Sequence, residues 1–334
     1  MIKRYSAFRW VALSGFLVLS GCGGSQSALD PAGPQAGRIA QLWWLLLGVS
    51  TVVFIIVVAI MLAAVVRSHR ADRTSSERQM TSVVTGATVV TTVILFVFLI
   101  ASLSTGKALS VFANGKDVVH IEVTGHQWWW EVRYPNSIAS QTVTTANEIH
   151  IPVGRAVIIR GMAQDVIHSF WAPNLHGKRD LIPSRVTTIT IEADRPAIFR
   201  GQCAEFCGLQ HAHMSFLVIA ESASRFSAWL DNQRRPAISP RNEMALRGEQ
   251  VFLSAPCVLC HTIRGIDAFG QVAPDLTHLA SRQTLAAGTL PNTPGHLAGW
   301  IVDPQNIKPG TRMPPVNIPA TDMDPLLAYL GSLQ

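Results

Sequence analysis

Within twelve residues, Cys203-Ala-Glu205-Phe-Cys207-Gly-Leu-Gln-His211-Ala-His213-Met214 carries two thiols, two imidazoles and a thioether. Soft thiolates select copper(I), zinc or iron–sulfur clusters, imidazole suits copper and zinc, and a weak thioether points to an electron-transfer copper site. A mononuclear copper loop needs one Cys. Two Cys four residues apart, each able to bridge, suit a pair of coppers sharing both sulfurs. A second imidazole must then come from elsewhere, and His168 in Asp165-Val-Ile-His168-Ser-Phe-Trp171 is the best candidate. Two simpler readings compete: a Cys203–Cys207 disulfide in an exported segment, or a Cys2His2 zinc site. The disulfide leaves His211 and Met214 without a role, and structural zinc has no use for a Met.

A second chemistry lies further on. Cys257-Val-Leu-Cys260-His261 is the c-type haem signature, with two Cys for thioether bonds to the porphyrin and His261 as iron ligand. Downstream runs Gly310-Thr-Arg-Met313-Pro-Pro, then a terminal helical pattern from Asp324 to Leu330. This segment resembles a class I cytochrome c, whose distal ligand is a Met in such a loop. The resemblance makes Met313 that ligand, ahead of Met323 at the entrance to the final helix. Met/His ligation raises the haem potential, as a relay feeding copper requires.

The elements that must carry these groups are legible in composition. The chain has 334 residues, 48% hydrophobic and only 14% charged, and the apolar excess sits in three N-terminal blocks. A membrane protein with soluble C-terminal domains is the first expectation. Residues 1–21 combine Lys3, Arg4 and Arg9 with an apolar core from Trp10 to Leu19, an export signal too short to span a bilayer. Leu19-Ser-Gly-Cys22 also resembles the bacterial lipoprotein cleavage box, with Cys22 lipidated. Residues 22–38 read as a tether. The formal charge of +6, less the three cations of the signal, leaves +3, with no aromatic-interleaved basic stripe. Nucleic-acid binding is set aside.

Ile39 to Val66 is 28 residues without a charge, and Thr81 to Gly106 is a second uncharged span. At 1.5 Å per residue each can cross a hydrocarbon core of about 30 Å. Residues 39–106 are thus predicted to form a two-helix transmembrane hairpin. Its loop at 67–80 holds Arg67, Arg70, Arg73 and Arg78, which orients it to the cytoplasm and puts everything after Lys107 outside. From Val118 onward, an alternating run at Val118–Thr124, an aromatic-rich one at Trp128–Tyr134, β-branched ones at Ala156–Arg160 and Val186–Ile191 and a closing run at Met214–Ile219 are separated by Pro, Gly and Asn turns. That texture predicts an all-β sandwich or barrel over 107–225, with the metal loop between Phe199 and the last strand. Residues 226–242 read as a linker and 243–334 as a small all-α haem domain. With Cys22, Cys203, Cys207, Cys257 and Cys260 each given a separate job, none of the five cysteines is left for a disulfide.

Gly125-His-Gln-Trp128, Asp165-Val-Ile-His168-Ser, Gly201-Gln-Cys203-Ala-Glu205-Phe-Cys207-Gly208 and His211-Ala-His-Met214 together resemble cytochrome c oxidase subunit II over roughly residues 39–225. With the haem segment, the chain resembles the fused subunits of caa-type bacterial oxidases. The resemblance implies a cupredoxin-like Greek-key domain and a binuclear CuA centre. It makes Cys203 and Cys207 bridging thiolates, His168 and His211 terminal ligands, and Met214 and the Glu205 carbonyl weak axial ligands; it decides for His211 over His213. It assigns the Glu205 carboxylate to a Mg2+ shared with subunit I, and Trp128 to the point where electrons enter. Subunits I and III and an upstream donor, a soluble cytochrome c or a bc-type complex, are the implied partners. Electrons would pass from haem c to CuA and on to haem a of subunit I, where oxygen is reduced, in the bacterial plasma membrane. The competing function is a copper–haem relay to another terminal reductase, such as one for nitrogen oxides. One departure stands out: Gln79-Met-Thr-Ser-Val-Val lacks the Trp and Pro that accompany the family's proton-loading Glu, and Glu77 is the nearby carboxylate.

Overall fold

A computed structural model describes residues 23–68, 76–110 and 118–334. The export signal, Cys22 and residues 69–75 of the Arg-rich loop lie outside the described residues. The chain divides into two compact units, residues 37–112 and the N-terminal residues through 36 together with 113–334.

The first unit consists of two long apolar helices, α1 (Pro34–Ser68) and α2 (Glu77–Leu109). Both run past the uncharged spans at each end, because charge need not stop a helix where it reaches water. Glu77 in the first turn of α2 favours that start by meeting the positive end of the helix dipole. Phe54, Leu62, Phe96 and Ile100 are all more than half exposed. A helix apolar all round with nothing covering it is fitted to lipid.

The second unit opens with a sandwich of ten strands: β1 (Val119–His126), β2 (Trp129–Tyr134), β3 (Val143–Ala146), β4 (Glu148–Pro152), β5 (Val157–Ala163), β6 (His168–Trp171), β7 (Arg179–Leu181), β8 (Thr187–Ile191), β9 (Ala197–Cys203) and β10 (Ser215–Glu221). One sheet has the order β3-β2-β1-β5-β8 and the other β4-β10-β9-β6-β7. Alternation sets which face is buried: along β5, Val157, Ile159, Gly161 and Ala163 point inward and Arg160 and Met162 outward. Trp130 is fully buried between the sheets, its ring 5.3 Å from Phe216, which stacks on Phe170 at 4.5 Å. Such aromatic pairs contribute about 0.5–1.5 kcal/mol each beyond their area burial. Cys203 ends β9 itself, so the metal loop begins there rather than after Phe199.

The segment expected to be a tether is bonded to this sandwich. The buried Asn174 side chain donates to the carbonyls of Gly24 and Asp30 and accepts from Ser27 N–H. Arg200 N–H donates to Ser25 O, and Asp30 pairs with Arg195 at 3.1 Å.

Helix α3 (Ala223–Gln233) closes the sandwich, with Phe226 buried and Trp229 stacked 3.9 Å from His150. The region expected as a linker therefore starts as a packed helix. The haem-motif domain follows, with α4 (Glu243–Ser254), α5 (Pro294–Val302), α6 (Pro304–Ile307) and α7 (Ala320–Leu330), and two-residue ladders pairing Thr262–Ile263 with Ala268–Phe269 and Thr284–Leu285 with Leu290–Pro291. α4 crosses α7 at Gly248, where a Cβ would lie 1.9 Å from the Pro325 carbonyl oxygen, so only glycine permits the approach.

Candidate metal centres

His168 stands at the start of β6, Cys203 at the end of β9, and Cys207, His211 and Met214 on the loop that returns to β10. The sandwich thus brings together at one end what the sequence holds 35 residues apart. Cys203 Sγ and Cys207 Sγ lie 3.7 Å apart. His168 Nδ1 is 3.8 Å from the first sulfur, and His211 Nδ1 is 3.6 Å from the second. Met214 Sδ lies 3.8 Å from Cys207 Sγ, and the Glu205 carbonyl oxygen 3.2 Å from Cys203 Sγ. His168, Cys203, Cys207 and Met214 are buried. His213 is exposed and its Nδ1 meets Gln210 Oε1 at 2.8 Å, so it stands outside the cluster.

Two sulfurs, two imidazole nitrogens, a thioether and a carbonyl converging on one dry point are a donor set fitted to a thiolate-bridged copper pair. A disulfide would need the sulfurs at about 2.05 Å, and both cysteines are free. A hydrogen bond from Cys207, followed by one from His168, lowers the Cys203 thiol, while the same sharing and burial push the Cys207 thiol upward.

The supports were not legible from spacing. Asp165 Oδ1 lies 2.8 Å from His168 Nε2, which leaves Nδ1 to face the sulfurs. Burial works against the Asp165 carboxylate, yet hydrogen bonds from His168 and from the N–H groups of Gln127 and Val166 hold its pKa below the usual range. Burial likewise opposes the His168 imidazolium, but its bonds to Cys203 and Asp165 raise its pKa overall. A Cβ at Gly125 would lie 2.8 Å from the His168 ring, so the glycine of Gly125-His-Gln-Trp128 makes room for it. Both Gln127 Nε2 and Trp128 Nε1 donate to the Cys207 carbonyl, at 2.8 and 2.9 Å. The Glu205 carboxylate points elsewhere, half exposed and 2.9 Å from Lys178 Nζ.

In the haem-motif domain a short turn over Pro256–Leu259 presents Cys257, Cys260 and His261 to a cavity of about 320 Å³. Its lining is mainly apolar and includes Phe252, Leu279, Leu297, Ile301, Leu326 and Leu330. Met313 lines it as well, whereas Met323 does not. His261 Nδ1 faces the Pro274 carbonyl at 2.7 Å, which fixes the ring and leaves Nε2 as the free ligand atom. Burial lowers the His261 pKa and so keeps the imidazole neutral, as ligation requires. These residues fit a covalently held haem. The same cavity is lined by Gln127, Trp128 and Trp129 of the sandwich, so the copper domain supplies one wall of the haem pocket.

Membrane helices, a sulfur-rich copper loop on a β-sandwich and a haem-binding domain define a membrane-anchored copper–haem electron carrier. Residues 136–221 match the family described as cytochrome c oxidase subunit II, periplasmic domain, and residues 245–334 match cytochrome c. Over 98% of both chains, the protein is 36% identical to cytochrome c oxidase subunit 2 of Alkalihalophilus pseudofirmus. It is 31% identical to that of Bacillus sp. strain PS3, over 99% of this chain and 97% of the other. The crystal structure of the periplasmic domain of cytochrome oxidase subunit II of Bradyrhizobium japonicum is 26% identical, with a TM-score of 0.35, covering 37% of this chain and 97% of that one. The chain belongs to the cytochrome c oxidase subunit 2 family, as an electron-transfer subunit with a CuA site and a fused cytochrome c domain. It is part of a haem–copper oxidase.

Proposed function

We propose that this subunit takes electrons at its own haem c and passes them to CuA and on to haem a of subunit I, where oxygen is reduced to water. The observation that carries the reading is the shared wall, in which Trp128 borders the haem cavity and donates its indole N–H to the carbonyl of Cys207. When bound, the copper pair and the haem supply one-electron carriers. Cys203 and Cys207 would hold the coppers through their sulfurs, with His168 and His211 through Nδ1, and Met214 and the Glu205 carbonyl more weakly. Asp165 orients His168, and the buried sandwich end keeps water out. Cys257 and Cys260 would hold the haem covalently, and His261 Nε2 and Met313 would be its iron ligands. Trp128 is the point at which electrons enter the copper domain.

Leu259, Phe269 and Val272 are strongly exposed on the haem domain, two of them lining or flanking the cysteine turn, and offer an apolar dock for the upstream donor. The Glu205 carboxylate provides one oxygen of a Mg2+ site completed by subunit I. With the Arg-rich loop in the cytoplasm, both redox domains lie on the outer face of the plasma membrane, and Cys22 is the lipidated N-terminus. The test is metal analysis with optical and electron paramagnetic resonance spectra of the purified subunit. Two coppers per haem with an unpaired electron shared between them are expected; one copper per haem with a blue mononuclear spectrum would overturn the assignment.

A further inference from the structure

Lys308 sits in the haem domain five residues before Met313, yet it is only 2% exposed. Its ammonium donates to the Trp128 carbonyl of the copper domain at 2.7 Å and to the Ala286 carbonyl of its own domain at 3.0 Å. The next residue is held from the opposite side. Gln210, between Cys207 and His211 and itself buried, donates its amide to Pro309 O at 2.7 Å. Gly310 follows, so close that a Cβ there would lie 3.0 Å from Leu209 and 3.7 Å from the Trp128 ring. Arg312 then pairs at 3.7 Å with Asp165, the carboxylate that also faces His168. The loop that carries Met313 is therefore bonded at Lys308, Pro309 and Arg312 to the supports of the copper site.

A second set of bonds reinforces the seat. Glu148 of the sandwich accepts from the N–H groups of Gln283 and Thr284 at 2.6 and 3.2 Å, and Ser215 N–H donates to Ala287 O at 3.0 Å. Transient redox encounters bury little area and stay wet. Burying a lysine side chain is costly unless its nitrogen is hydrogen-bonded, and the two carbonyls supply those bonds together only while the seat is closed.

We propose that residues 308–312 form a latch that keeps the haem domain seated over Trp128 as its resting position, and that this seat closes the Trp128 surface to soluble electron donors. The proposal rests on the electron route given above, and its tests separate the two. In the purified full-length subunit, acetylation with an amine-reactive reagent followed by peptide mass spectrometry should modify the half-exposed Lys178 and spare Lys308. Equal modification of both would overturn the latch. Lys308→Met and, independently, Gln210→Leu should leave the haem spectrum unchanged, slow electron arrival at copper after photoreduction of the haem by at least tenfold, and let an added soluble c-type cytochrome reduce copper directly. Wild-type transfer rates in both variants, with copper still inaccessible to the added cytochrome, would overturn it too. A protected Lys308 together with no haem-to-copper transfer in the unmodified protein would leave the latch standing and sink the route.

Discussion

Single atoms decide what the copper loop can do. Cys207→Ser removes a sulfur that lies within 3.8 Å of the other sulfur, an imidazole and the thioether. The expected outcome is loss of the two-copper signal with an unchanged haem spectrum, read from one sample by electron paramagnetic resonance and visible absorption. Asp165→Asn tests support rather than ligation. It keeps the shape but loses the charge facing His168 Nε2, and changes of this kind typically weaken metal binding by roughly 10–100-fold. A chelator competition titration should show that drop, and unchanged copper retention would count against the orienting role. At this scale the ligands were legible and their supports were not. Four of the copper-loop groups fall within twelve residues, and the haem signature within five, so chain distance is itself the geometry. Asp165, Gln127, Gln210 and Lys308 acquire meaning only when folding brings distant segments to them.

Between the residue and the domain, legibility followed the pattern of burial. β5, β8 and β10 alternate or are β-branched and were read close to their true limits. β6 escaped notice: its first three residues, His168, Ser169 and Phe170, are all buried, so no period-two signal exists. The N-terminal segment misled for a different reason. Pro, Gly and Ser made residues 22–38 look like a free tether, but such residues suit an extended strap equally well once a side chain such as Asn174 satisfies its backbone. Asn174→Ala should release that strap. Amide exchange over residues 24–32 should accelerate by about tenfold or more if the bonds contribute about 1.5 kcal/mol together, and an unchanged rate would show that the Asp30–Arg195 pair suffices.

Over the whole outer unit, the two redox domains meet through buried polar groups, Lys308, Gln210 and Glu148 among them. This makes docking pH-dependent. Burial lowers Lys308 from the ordinary lysine range to about 7, with the nearby Cys207 sulfur opposing in part. In separated domains the same ammonium returns to water and to a value of about 10.4. Between those values the separated state holds a proton that the docked state releases. Docking is therefore weakest below about pH 7 and strengthens as pH rises toward 10, while the Lys308 nitrogen keeps N–H donors for both carbonyls in either protonation state. Exchange of the Trp128–Trp130 amides, corrected for its intrinsic pH dependence, should slow between pH 7 and pH 9 in the full chain. Lys308→Met should flatten that trend; a trend that persists in the variant would assign it to other groups.

The shared wall of the haem cavity also bears on how the protein is made. A flat macrocycle must slide between Cys257 and Met313 before both thioether bonds can close, and one side of that slot is built by Gln127, Trp128 and Trp129 of the other domain. With the domains seated, those three residues cover that side of the slot. A porphyrin entering from that side would have to arrive before the domains close, which would give maturation an order.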